Sequence, residues 1–163
     1  MSKSARFLAR GALMAALYAA LCHLQNFILP GSATWAIQFR VAEALCMLAL
    51  LTPAAIPGLT VGCFVFNLTF VGALPLDLLV GPLASALSAF AMWRLRRFPL
   101  LCLSMPALFN ALLVGWELTV YIGGGFFLNA LYVAIGELAV VCTVGWLLYA
   151  ALKKRGISRR IFG

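Results

Sequence analysis

Acidic side chains are nearly missing from this chain: Glu43, Asp77, Glu117 and Glu137 are its four among 163 residues. Histidine occurs once, at His23. With so few titratable groups there is no nucleophile–base pair and no carboxylate pair at metal spacing, so the residues offer an enzyme little to work with. A metal centre would need more ligands than His23 and scattered acids supply, and no cofactor is expected. The five cysteines (Cys22, Cys46, Cys63, Cys102 and Cys142) form no C-x-x-C pair. They indicate neither a metal site nor a disulfide framework and read as small buried hydrophobes. The phosphate-binding G-x-x-x-x-G-K-[ST] loop is absent too, because Gly123-Gly124-Gly125 has no lysine after it.

What the chain has in abundance is apolar surface. It is 65% hydrophobic and 10% charged, with a mean hydropathy of +1.08. A water-soluble core of this size cannot hide so much apolar area, so lipid must serve as solvent. The net charge of +8 would suggest nucleic acid in a soluble protein. Here the bases sit at the ends of apolar runs, which fits membrane orientation and anionic headgroups and leaves nucleic acid out. Eleven of the twelve bases fall in three clusters: Lys3, Arg6 and Arg10; Arg94, Arg96 and Arg97; and Lys153, Lys154, Arg155, Arg159 and Arg160. The basic, apolar N-terminus has a signal-peptide flavour, but the run is long and lacks a small-residue cleavage pattern, so it reads as a retained first span.

Turn signals at Pro30-Gly31-Ser32, Thr52-Pro53 with Pro57-Gly58, Gly72 to Pro75, 94–99 and Gly123–Gly125 divide the chain. The spans predicted between them are 7–29, 37–51, 54–71, 76–93, 100–121 and 127–152. The stretch from Ile37 to Val71 reads either as one helix kinked at Pro53 and Pro57 or as a hairpin of two short ones. Parity favours the hairpin. Six spans put all three basic clusters on the cytoplasmic side, whereas five would send Arg94, Arg96 and Arg97 outside. The predicted architecture is therefore an all-α integral membrane protein, a single domain over 1–163 forming a six-transmembrane-helix bundle with both termini cytoplasmic. Trp35, Trp116 and Tyr121 then fall near the outer interface, and Trp93 and Tyr149 near the inner one.

At 1.5 Å per residue, Glu117, Glu137 and Asp77 lie roughly 24–27 Å from the cytoplasmic ends of their spans, and Glu43 about 14 Å above Thr52. Arg40, three residues before Glu43, shares its helix face and is expected to pair with it. An acid left in lipid at a helix centre would cost about 2.5–3.5 kcal/mol. The acids should therefore face a common, partly hydrated cavity open to the outside. Gln38, Asn67, Asn110, Asn129 and Tyr132 fall at comparable depths. Any one asparagine could equally be an interhelical hydrogen bond, but four acids on one side of the midplane point to a site for a cationic or NH-rich ligand. His23, near Gln25 and Asn26, reads as structural. Ala12, Ala16 and Ala20 form a stripe of small residues on the first span, which suits close approach of a helix. That helix belongs either to this bundle or to a partner subunit.

The segment Ile37-Gln38-Phe39-Arg40-Val41-Ala42-Glu43-Ala44-Leu45, followed by Thr52-Pro53-Ala54-Ala55-Ile56-Pro57-Gly58-Leu59, resembles the QueT family of queuosine-precursor transporters. Those are membrane S components of energy-coupling factor (ECF) importers. Asn67, Asp77 with Gly81, Asn110 through Glu117, and Tyr132 through Glu137 extend the resemblance, which covers about 11–152. Ala42 stands where the family pattern has Ser, and Pro82 interrupts a stretch expected to be Gly and a small residue. The resemblance implies a multi-pass protein of a prokaryotic cytoplasmic membrane. It would capture a 7-deazaguanine, such as queuine or 7-aminomethyl-7-deazaguanine, from outside and topple against a transmembrane partner driven by two ATPase subunits. Ala12, Ala16 and Ala20 would then dock that partner. Glu117 and Glu137 would accept from the guanine-like edge and the aminomethyl cation, in either order. Arg40 would hold Glu43 or donate to the ring carbonyl, and Trp116 or Tyr132 would stack on the base. The alternatives are an S component for another vitamin and a non-transport membrane assembly protein.

Overall fold

The computed structural model describes residues 2–32 and 39–154. Gln38, Trp35, the start of the second predicted span, and Arg155, Arg159 and Arg160 lie outside these. The described residues contain no strand.

Helix α1 runs Lys3–Ile28. Its first turn is closed by Ser2, whose hydroxyl accepts from the Ala5 amide at 3.1 Å, satisfying a donor that has no intrahelical partner. It ends where Pro30 removes a backbone donor and Gly31 takes φ +84°. A 3-10 rod follows at Val41–Leu50, then a turn over 51–54 and α2 at Ala55–Thr69. The chain continues through α3 at Asp77–Arg94, the short α4 at Pro99–Cys102 and α5 at Ser104–Ile122. Gly123 and Gly124, both at positive φ, turn it into α6 at Phe126–Val140. A π turn at Val141–Gly145 leads on to α7 at Trp146–Lys154.

Three helical stretches are long and apolar enough to cross a membrane: Lys3–Ile28, Pro99–Ile122 and Phe126–Lys154, of 26, 24 and 29 residues. At 1.5 Å per residue each exceeds a hydrocarbon core of about 30 Å. Their outward faces are apolar, with Leu13, Leu24, Leu101, Leu112, Leu131 and Leu147 all exposed. That is the surface of a membrane protein.

The 3-10 rod departs from the α-helix predicted there. Ten residues is long for this geometry, whose runs seldom pass 3–4 residues. Every residue from Ala42 to Leu50 is buried, and the rod touches α1, α2, α3, α6, α7 and the π turn. A segment apolar all round belongs at the centre of a bundle. The thinner 3-10 cross-section, with Ala42, Ala44, Cys46 and Ala49 along it, suits that central place. Its rise of about 2.0 Å carries Glu43 farther from Leu50 than α geometry would. The π turn adds to the fit by bringing Gly145 against the rod, where an added Cβ would lie 3.0 Å from Met47.

Around the rod, α1 packs on α2, α2 on α3, α3 on α5 and α5 on α6. The α1–α2 seam is made by glycine. An added Cβ at Gly62 would sit 2.7 Å from the Tyr18 Cβ and 2.8 Å from the Ala15 carbonyl, and at Gly58 it would sit 2.7 Å from the Gly11 carbonyl. Helix α1 thus spends Gly11, Met14, Ala15 and Tyr18 on internal packing. Ala12, Ala16 and Ala20 stay on the exposed face, so internal packing is not what that alanine stripe does.

Candidate functional site

Glu43 sits at the inner side of the rod's first turn, fully buried. Its expected partner was Arg40. Arg40 does interact with Glu43 electrostatically, and the carboxylate is also held by Tyr18 of α1, whose hydroxyl donates to Oε1, and by the Cys46 thiol, which donates to Oε2 at 3.0 Å. In a 3-10 helix positions i and i+3 eclipse, so Cys46 falls directly over Glu43 and the sulfur reaches its oxygen. Two donors on one carboxylate satisfy a group that would otherwise be costly to bury.

Arg40 lies just ahead of the rod, with 4% of its surface exposed. Its position is set by Gln25, in the last turn of α1. The Gln25 side-chain NH2 donates to the Phe39 carbonyl and to Ser32 Oγ at 2.9 Å, while its carbonyl accepts from the Val41 amide at 2.8 Å. One buried amide therefore clamps the backbone on both sides of Arg40. In the sequence Gln25 stands out only as a neighbour of His23. The signal available was its spacing from Tyr18 and Cys22, which places all three on the inward face of α1. His23 itself meets Thr69 Oγ1 at 2.8 Å and lies edge-on to Phe66, joining α1 to α2.

On the other side, Asp77 opens α3. Its Oδ2 accepts from the Leu74 amide at 2.7 Å, and its backbone carbonyl accepts from Asn67 Nδ2 at 2.5 Å. These two bonds shape the α2–α3 turn. Asn67 Nδ2 thus helps to fix that turn, and it also donates to Cys63 Sγ. Asp77 and Arg40, with Gly72, Leu74, Leu118, Tyr121 and Ile122, line a cavity of about 310 Å3 at the α2–α3 and α5 ends. That is within the range of small-molecule sites, about 300–1,000 Å3.

Glu117 and Glu137, each 1% exposed, are off the lining of this cavity. Glu117 interacts electrostatically with Asp77 and Arg40, and Glu137 with Glu43 and Arg40. Among the described residues, Glu137 Oε2, Asn110 Nδ2 and Ser88 Oγ have no hydrogen-bond partner, and the Glu117 carboxylate meets no polar side chain but the Asp77 carboxyl. Buried polar atoms are overwhelmingly partnered in folded proteins, and each exception asks for an explanation. Here they cluster on the helices whose acids surround Arg40.

A family model described as QueT transporter matches residues 8–154. The chain belongs to the QueT transporter family. No curated protein and no solved structure matches it. Membership in the QueT family makes this a membrane transporter, and the matched segment contains Arg40 and all four acids. For a QueT protein the Arg40–acid cluster is the natural place to look for solute recognition, since ionisable residues in a membrane interior mark transport paths.

Not every residue singled out from sequence comes to this place. Trp116 is 49% exposed, because Glu117 takes the inward face of α5 and its neighbour must point away. Tyr132 is half-buried on α6 and off the cavity lining. Tyr121, read only as an interface residue, is the aromatic that lines the cavity. Asn129 holds Thr119 at 3.0 Å and the Gly123 carbonyl at 3.1 Å, which fastens the α5–α6 turn.

Proposed function

We propose that this QueT protein is the substrate-binding membrane subunit, the S component, of an ECF-type importer, and that it captures a 7-deazaguanine queuosine precursor from outside the cell. The single observation that carries this reading is that buried Arg40 and Asp77 line one cavity of about 310 Å3, with Glu43, Glu117 and Glu137 all interacting electrostatically with that arginine. The protein is read as one domain of six spans in a prokaryotic cytoplasmic membrane, with both termini inside. A transmembrane partner would dock on Ala12, Ala16 and Ala20, and two ATPase subunits would supply the energy.

The acid excess selects the ligand's chemistry. A guanine-like edge offers adjacent ring N–H and amino donors that a carboxylate accepts side by side, and an aminomethyl cation forms a charge-assisted bond with a second one. Asp77 at the cavity wall and Glu117 are the acceptors for the edge, with Glu137 deeper. Arg40 donates to the ring carbonyl, and Tyr121 offers a ring to the base face. Asn110, buried on α5 seven residues before Glu117, is a further polar contact in the proposed set. Gln38 remains part of the proposed contact set on sequence grounds.

A thermal-shift panel on the purified protein tests this, because a ligand that binds only the folded state raises its melting temperature. The panel contains 7-aminomethyl-7-deazaguanine, queuine, guanine and B vitamins. A shift with the deazaguanines alone supports the reading. A shift with a B vitamin alone reassigns the ligand, and silence from the whole panel with no uptake defect on Glu43→Gln, Glu117→Gln or Glu137→Gln overturns transport through this site.

A further inference from the structure

At the opposite end of the molecule, α7 carries a groove of about 350 Å3 lined by Trp146, Tyr149, Ala150, Lys153 and Lys154. Positions 146, 149, 150 and 153 share one helix face. The Trp146 and Tyr149 rings meet at 5.7 Å and 43°, and the Lys153 ammonium stands 5.6 Å from the Tyr149 ring centroid. That cation–π contact holds the lysine over an aromatic floor, and an ammonium has N–H donors left for an anion. The groove is thus apolar and aromatic at one end and doubly cationic at the other.

We propose that this groove is a binding site for the headgroup of an anionic phospholipid. The phosphodiester would sit between Lys153 and Lys154, and the acyl chains would leave past Trp146 and Ala150 at the apolar end of the groove. Charge complementarity names the occupant. No acid lines the groove, and in the sequence Arg155, Arg159 and Arg160 come after the two lysines. The apolar and aromatic end of the groove, formed by Trp146, Tyr149 and Ala150, favours a lipid over a soluble phosphate.

The test uses the full-length protein in a neutral detergent, titrated with phosphatidylglycerol, phosphatidylcholine or inorganic phosphate and followed by thermal shift and native mass spectrometry. Phosphatidylglycerol should raise the melting temperature and leave bound-lipid peaks, and Lys153→Gln/Lys154→Gln should weaken that binding roughly tenfold, since each lysine near an anionic surface is worth several-fold in affinity. Both lysines are exposed, so the double variant should melt like the parent without lipid. An equal response to phosphatidylcholine means a nonspecific lipid coat and overturns the proposal. A response to inorganic phosphate alone means a free-anion site and overturns it as well. Undiminished phosphatidylglycerol binding by the double variant moves the site elsewhere, with Arg96, 5.2 Å over Trp93, as the next place to examine.

Discussion

Replacing Glu117 by glutamine separates a recognition role from a structural one. The side chain keeps its shape, and in the structure the Asp77 carboxyl is the side chain that faces its carboxylate. Its electrostatic neighbours are Asp77, a like charge, and Arg40. Removing a carboxylate beside another relieves repulsion, and Arg40 keeps Glu43 and Glu137 around it. The ligand-free variant should therefore melt at the parent temperature or slightly above. Binding should behave oppositely. A charge-assisted hydrogen bond is worth about 1.5–3 kcal/mol, which corresponds to roughly 10- to 100-fold in Kd. Isothermal titration with the deazaguanine that responds in the thermal-shift panel gives the Kd, and a ligand-free melt gives stability. An affinity within twofold of the parent would refute the recognition role. A melting temperature lowered by several degrees with unchanged affinity would make Glu117 a structural acid.

Gln25→Leu keeps the volume of the α1 clamp but removes three hydrogen bonds around Arg40. It should weaken ligand binding by tenfold or more while uptake falls in parallel, and an unaltered Kd would mean Arg40 does not depend on the clamp. Gly62→Ala forces a Cβ to within 2.7 Å of Tyr18 and 2.8 Å of the Ala15 carbonyl, so it should cost about 1–3 kcal/mol by overpacking, read as a lower melting temperature. An unchanged melt would show the α1–α2 seam to be slack. For the six-span topology, Cys142, the exposed native thiol, is first changed to alanine. A membrane-impermeant maleimide should then label Gly124→Cys in intact cells and Arg96→Cys only after permeabilisation, and the reverse pattern would invert the orientation.

The inventory of the candidate site was legible because intramembrane charge is rare. Four acids inside apolar runs identify themselves without any coordinates, and Arg40 stands out as the base that belongs to no end cluster. Helix phase was less legible. Trp116 and Glu117 are adjacent, and sequence alone nominated both, although a helix can turn only one of them inward. Asn67 was equally ambiguous, since an amide at that depth serves a ligand or a backbone carbonyl with the same chemistry. Tyr18 drew no notice because a tyrosine in an apolar span resembles any other core aromatic until its hydroxyl is seen to reach the carboxylate of a residue 25 positions away.

Composition and charge pattern by themselves determined that this chain lives in a bilayer, that it is helical, and that its acids mark the interior. Those properties follow from transfer free energies that each residue carries wherever it sits. Only the tertiary structure decided that Val41–Leu50 is a 3-10 rod at the centre of the bundle, that Glu43 answers to Tyr18 and Cys46, that Gln25 sets Arg40, and that the alanine stripe faces outward. Those depend on which helices become neighbours and at what distance, and such long-range packing has no signature in local sequence.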